Sequence, residues 1–385
     1  MGRLIDENQL IDRLKKSKKV QLIEPPYRRV YIPLGLAKIS SFLKDHGKEV
    51  YFDNYPRYQE ELDLICVSTC FTNDAKTVLK TINEIERSLF LKDVDILVGG
   101  IFASLMPEYI IKNTRRAKVF VNCSDIIDSY LPDYSLDYNI KGFFNNCITL
   151  FTTRGCPNKC GYCMVWRMEP KFHILENWDK NIIESDREVC VVSDNNFLVS
   201  PSEHVKNVIN LLNERKKKVI FNNGVDCKLI NKENAKLLAS LSYIRHGFRT
   251  AFDRMSDDGH YQKAMELMQK VGFRISGNSY TYVLFNFNDT PQEAYYRAQQ
   301  AWRYKNNPYL MRYRPLNQTY KKLDYVGKYW TKNLIKAFSN WGQTFGYNRG
   351  DKTFESWIKS KDSVLNKNGK CFLTDKDWDK WYYKR

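Results

Sequence analysis

Short apolar runs alternate with polar stretches of helical spacing along the first third of the chain. Segments 20–24, 49–53, 64–68, 95–98 and 118–121 have the length and β-branched content of buried strands. Between them, 34–45, 73–88 and 106–113 carry the apolar spacing of helices, and Gly47 stands where a left-handed cap residue closes the first of these. Short apolar strands separated by helices predict a parallel sheet covered on both faces, a Rossmann-like doubly wound domain over 1–130. Gly99 and Gly100 follow the fourth strand at its carboxyl end, where such sheets place ligand loops, although a tight turn alone also accounts for them.

Leu131-Pro132-Asp133-Tyr134 and Gly142 have turn chemistry and mark a linker over 131–146. The alternation then restarts. Strands are expected at 148–152, 189–193, 219–222, 247–252, 279–285 and 309–313, with helices at 176–186, 202–216, 232–241, 257–271 and 291–304. Six strand–helix units in series over 147–316 favour a partial (β/α)6 barrel of TIM type over an open sheet, a choice the pattern alone leaves open. From 317 to 385 the chain becomes rich in Trp, Tyr and Lys without strand-like runs. It reads as a mainly helical extension whose tryptophans (Trp330, Trp341, Trp357, Trp378, Trp381) fill a hydrophobic seam, with base stacking as the competing use. The class overall is α/β.

Composition changes this picture only modestly. The 385 residues are 43% hydrophobic and 27% charged, ordinary values for a globular protein. No apolar run reaches membrane-spanning length and the polar amino terminus lacks a signal-peptide core, so the expected location is cytoplasmic, with no membrane partner. The net charge of +17 admits a polyanionic partner such as nucleic acid, but general Lys, Asn, Tyr and Ile richness explains it equally well. Ten cysteines in a reducing compartment point to metal binding or catalysis rather than to a disulfide framework.

One segment concentrates the chemistry: Thr152-Thr153-Arg154-Gly155-Cys156-Pro157-Asn158-Lys159-Cys160-Gly161-Tyr162-Cys163. Three thiols within eight positions, with Gly and Pro between them, can wrap one inorganic centre, and thiolates are the ligands of iron–sulfur clusters. Structural zinc would require a fourth ligand; no second CxxC lies nearby, and His173 has the wrong spacing for a zinc finger. A cluster held by Cys156, Cys160 and Cys163 alone leaves one iron for a substrate. The remaining cysteines read differently. Cys66, Cys70 and Cys190 suit buried strands, while Cys123, Cys147, Cys227 and Cys371 are too scattered to hold an auxiliary cluster. Among the histidines, His246 and His260 flank the fourth strand of the second series, and neither is well placed for acid–base work.

CxxxCxxC with an aromatic residue before its last cysteine, placed after the first strand of a repeating β/α unit, resembles the radical S-adenosylmethionine superfamily over about Cys147 to Leu316. The resemblance implies a 4Fe–4S cluster on the three cysteines. It further implies chelation of S-adenosylmethionine at the fourth iron, cleavage of the sulfonium to a 5′-deoxyadenosyl radical, and an external flavodoxin- or ferredoxin-like electron donor. By the same resemblance Tyr162 would seat the adenine. Ser193, Asp194 and Asn195, ending the second strand, would face the methionyl amino group; Arg249 and Asp253, at the fourth, would contact ribose or carboxylate; Arg312, closing the sixth, would lie near the adenine edge. The bland alternative for each is a solvent-facing strand end. The front domain and linker resemble the cobalamin-binding-type domain that precedes many of these enzymes. The Asp-x-His-x-x-Gly motif of a lower axial ligand is missing, because Asp45-His46-Gly47 has other spacing and closes a helix. A degenerate scaffold is therefore favoured over cobalamin binding. The expected function is radical hydrogen abstraction from a substrate such as a nucleic acid or nucleotide. The alternatives are cobalamin-dependent methyl transfer and a non-catalytic iron–sulfur binding or assembly protein.

Overall fold

The computed structural model describes residues 2–58, 61–320, 322, 324–343, 353–359 and 373–383. Cys371 and the parts of the extension at 344–352 and 360–372 lie outside the described residues. The chain is a mixed α/β protein built on parallel sheets, and it divides into two compact units. The first comprises Met1–Cys147, Gly155–Asn181 and Leu316–Lys322; the second comprises Ile148–Arg154, Ile182–Pro315 and Leu323–Arg385. The cysteine loop thus groups with the front unit, and most of the extension groups with the second series of strands.

Six strands form the sheet of the first unit: β1 (Leu4–Ile5), β2 (Lys19–Ile23), β3 (Glu49–Asp53), β4 (Leu64–Thr69), β5 (Asp95–Gly100) and β6 (Lys118–Phe120), in the order β1-β6-β5-β4-β2-β3. Every neighbouring pair is parallel. The period-two alternation of β4 explains the layering. Leu64 and Cys66 enter a core with Leu36, Phe42 and Leu43 of the helix Leu34–Asp45, whereas Ile65 and Val67 enter another with Val78, Ile82 and Ile85 of the helix Ala75–Arg87. Gly47 caps the first of these helices with φ +69°. The strand β1 and the helix Glu7–Lys16 were not anticipated. Asp6 caps that helix, accepting from the Gln9 amide at 2.8 Å, and its apolar stripe buries Leu10, Ile11 and Leu14.

The second unit carries β7 (Cys147–Leu150) from its second residue onward, and β8 (Val189–Val192), β9 (Lys218–Phe221), β10 (Ser242–Tyr243), β11 (Phe248–Ala251), β12 (Ser279–Phe285) and β13 (Asn307–Arg312). They form one sheet ordered β10-β9-β8-β7 and another ordered β11-β12-β13. Backbone bonds from Phe221 to Gly247 (2.8 Å) and from Val225 to Arg249 (2.7 Å) carry the series from β9 to β11, so the six longer strands follow chain order. Helices Ser202–Glu214, Lys232–Ala239, His260–Lys270 and Pro291–Arg303 lie between them in sequence.

In the extension, helices Lys332–Trp341, Phe354–Lys359 and Asp375–Trp381 bury Trp341, Trp357 and Trp381 completely, and Trp330 nearly so, against Phe285, Tyr295, Phe338 and Phe354. Only Trp378 keeps a partly exposed ring among the five. Packing therefore explains most of the aromatic content. Trp341→Ala should destabilise the protein by about 3–5 kcal/mol, read as a lowered urea midpoint at unchanged slope. Among the described residues, no helix is long and apolar enough to cross a membrane.

Candidate functional site

The cysteine loop begins at Gly155, which adopts φ +79°. A Cβ at this position would lie 2.3 Å from the carbonyl oxygen of Lys171, so only glycine lets the two backbone segments approach this closely. The carboxylate of Glu169 accepts the Gly155 amide at 2.8 Å and lies 3.8 Å from the Cys123 sulfur. Farther along, the Cys160 carbonyl accepts from the Cys163 amide (3.0 Å) and the Trp166 indole (3.3 Å), and a helical turn over Val165–Met168 follows.

Cys156, Cys160, Tyr162 and Cys163 are all half-buried on this one loop. Among the described residues, no three His, Cys, Asp or Glu side chains are gathered around a single point as metal ligands. The loop therefore offers the donor chemistry of a cluster, three soft thiols on a short segment, without a preformed ligand cage. Other thiols have different surroundings. Burial pushes Cys66 up beyond ordinary titration and raises Cys70 and Cys227 to about 12, which keeps their thiols protonated. Cys190 is likewise fully buried.

In the second unit, Asp194 follows β8 and is only 2% exposed. Its Oδ1 accepts from the amides of Thr152 (3.0 Å) and Thr153 (2.6 Å) and from both hydroxyls (2.9 and 2.6 Å). Its Oδ2 is buried and meets no hydrogen-bond donor among the described residues. Burial raises the Asp194 pKa against the opposing pull of the four donors. His204 adds to this cluster through a 3.0 Å contact between its Nε2 and the Thr152 hydroxyl. Ser193 is buried in the backbone ladder, its amide donating to Leu150 at 2.8 Å, and Asn195 is half-buried beside it.

The remaining expected residues each have their own partners. Arg249 is the second residue of β11 rather than its end, and its Nη1 donates to Asn222 Oδ1 (2.9 Å) and the Tyr282 hydroxyl (2.8 Å). Asp253 follows β11 and accepts the Leu284 amide at 2.8 Å, forming no ion pair with Arg249. Arg312 closes β13 in register with Phe285, so strand alternation turns it away from the face that carries Tyr309 and Met311. His246 stacks on Tyr280 with ring centroids 4.2 Å apart, and His260 opens a helix at the surface. Glu169, Thr152, Thr153, His204 and Asn222 were not anticipated. Each acts through a partner distant in sequence, and only the Thr-Thr pair just before the cysteines offered a local signal.

Burial holds the Asp253 carboxyl at about 6, above its ordinary 3.8. The folded chain then binds this proton more tightly than the unfolded chain, so its contribution to stability is lost as pH rises between about 4 and 6. Asp253→Asn keeps an oxygen acceptor for Leu284. Its thermal midpoint relative to wild type should rise across that window and level off above it.

No family model, curated protein or solved structure matches this chain.

Proposed function

We propose that the chain is a radical S-adenosylmethionine enzyme whose 4Fe–4S cluster is held by Cys156, Cys160 and Cys163. The observation that carries this reading is the loop itself: three half-buried thiols within eight positions, entered through a glycine that no other residue can replace. A cluster held by these three thiols would supply the one-electron reduction that splits the sulfonium of S-adenosylmethionine into methionine and a hydrogen-abstracting radical.

The protein's own residues hold the loop. Gly155 permits the close approach to Lys171, and Glu169 fixes the Gly155 amide. Asp194 ties down Thr152 and Thr153, the strand end from which the loop departs, and its unused Oδ2 suits an ammonium group. Tyr162, Ser193, Asn195, Arg249, Asp253 and Arg312 are proposed as cofactor contacts on the family resemblance alone. We propose that the second unit is a partial (β/α)6 barrel, since its longer strands follow chain order, and that the front unit is a Rossmann-like scaffold rather than a cobalamin carrier. His46 supports the scaffold reading, because its ring nitrogen lies 2.8 Å from the Phe42 carbonyl at a helix end. A cytoplasmic location and a small external electron donor complete the proposal.

Anaerobic reconstitution with iron and sulfide, followed by reduction and addition of S-adenosylmethionine, tests it. The expected product is 5′-deoxyadenosine. A fully loaded, reduced protein that forms none, with candidate substrates present, would overturn the enzymatic reading and favour a binding or assembly role.

A further inference from the structure

The parallel strands of the second unit start along one edge, and that edge is basic. The Lys218 amide donates to the Glu188 carbonyl (2.8 Å), Ile244 to Val219 (3.2 Å) and His246 to Gly277 (3.0 Å), and Asn307 stands in register with Tyr280. The turns that enter β8, β9, β11, β12 and β13 are therefore neighbours. Arg215 and Lys218 face Glu214 (3.9 Å) and Glu188 (3.2 Å). Lys216, Arg245, Lys270, Arg274 and Lys305 are exposed, and among the described residues none of the five pairs with a carboxylate. The other acids nearby are Glu266, which accepts the Tyr304 hydroxyl (3.0 Å), and Asp186, which acts on the buried Lys217.

Two of these lysines occupy places where the backbone favours glycine. Lys216 and Lys305 stand two residues beyond the helices Ser202–Glu214 and Pro291–Arg303, with φ +50° and +57°. The corresponding position after His260–Lys270 is Gly272, with φ +85°. A side chain in this left-handed region costs stability that glycine does not. The helix dipole favours a cation anywhere in the last turn, so it does not explain the choice of the one left-handed position.

Arg274 and Lys305 also line a surface cavity of about 380 Å³, whose apolar floor is formed by the buried Phe273, Ile275 and Tyr304. That volume accommodates one flat ring with a charged substituent at its rim. None of the large exposed apolar side chains falls in the turns at 185–188, 214–218, 244–247, 271–278 or 304–306. The edge thus lacks the apolar centre of a protein–protein interface and presents cations spread over successive turns, the arrangement that tracks a phosphodiester backbone.

We infer that this edge binds a single-stranded nucleic acid, with Lys216, Arg245, Lys270 and Lys305 on phosphates and the cavity beside Arg274 holding one unstacked base. A duplex keeps its bases stacked and would leave that cavity unused. The inference uses no residue of the cysteine loop, and the edge is at the opposite end of the strands from Asp194. It therefore stands apart from the radical-enzyme reading.

The test is fluorescence anisotropy of a labelled single-stranded RNA of roughly 20 nucleotides, longer than one site of about 4–16, titrated with the full chain. Each phosphate contact should add about 0.7 to the slope of log affinity against log salt, and at about 0.1 M salt it should contribute about fivefold in affinity. Lys216→Gly with Lys305→Gly should therefore weaken binding about 25-fold and flatten the slope by about 1.4. The same pair relieves two left-handed side chains, so its thermal midpoint should not fall. Lys206→Gln with Lys263→Gln removes equal charge from the far ends of two helices of this unit and should leave affinity nearly unchanged. Duplex RNA has the denser charge, yet it should bind about tenfold more weakly because it offers no free base. Absence of binding at micromolar protein, equal losses in the two double variants, or tighter binding of the duplex overturns the inference. Displacement by poly-glutamate as strong as by unlabelled RNA, charge for charge, would assign the edge to an acidic protein and overturn it as well.

Discussion

Cys160→Ala is expected to reduce iron after anaerobic reconstitution from about four atoms per chain to near none, and to abolish 5′-deoxyadenosine formation with it. The size of the effect follows from the ligand count. Three thiolates are the whole protein contribution to the proposed cluster, so losing one leaves two. Cys66, Cys70 and Cys227 are held protonated by burial, and Cys190 is enclosed in β8. Cys156→Ala and Cys163→Ala should behave alike. Cys227→Ser provides the contrast, because it changes a cysteine of the second unit and should leave iron loading intact. The far-ultraviolet circular dichroism of Cys160→Ala should match wild type, since the side chain is half-buried on a loop and contributes to no core. A normal cluster spectrum in Cys160→Ala would remove the site assignment.

The second large effect is expected from Gly155→Ala. The added methyl group would sit 2.3 Å from the Lys171 carbonyl oxygen and 2.9 Å from the Phe172 nitrogen, both backbone atoms with little freedom to retreat. The residue would also have to hold φ +79°, a conformation that costs a non-glycine residue about 1–3 kcal/mol. Relief requires the two segments to part, which would pull the Gly155 amide from Glu169. We expect Gly155→Ala to lose most of its iron although all three cysteines remain. Glu169→Gln, which keeps an oxygen acceptor for the amide, should load nearly normally. Full loading of Gly155→Ala would show that the close approach at Lys171 does not serve the loop.

What the sequence made legible was local. The helix Leu34–Asp45 and the strands Glu49–Asp53 and Ser279–Phe285 have the bounds their periodicity predicts, because each pattern is complete within the element. The cysteine loop was legible for the same reason: its spacing is a property of eight consecutive positions. The helix Glu7–Lys16 was overlooked because its many charges obscured a three-residue apolar stripe, although Asp6 and Gln9 form a readable capping box. Glu169 and His204 were not legible. Each reaches a partner 14 or more positions away, Gly155 in one case and Thr152 in the other, and which residues meet at such separations is set by how the segments pack. The location of Arg249 shows the same limit, since strand ends vary by a residue or two while alternation survives. Its partners are Asn222, in the turn after β9, and Tyr282, on β12, which no single stretch of sequence could bring together.

The division of the chain into units bears on how the protein is made. The front unit includes Gly155–Asn181 and Leu316–Lys322, which emerge from the ribosome after β7 and after β13 respectively. Its first 147 residues contain a complete parallel sheet, yet the unit is finished only when synthesis has passed Lys322. The loop proposed to hold the cluster is thus translated in the middle of the chain, while the last segment of its own unit arrives roughly 140 residues later, some 7–30 seconds at ordinary elongation rates. During that interval its thiols would be carried by an unfinished unit, a period in which oxidation or capture of the wrong metal competes with maturation.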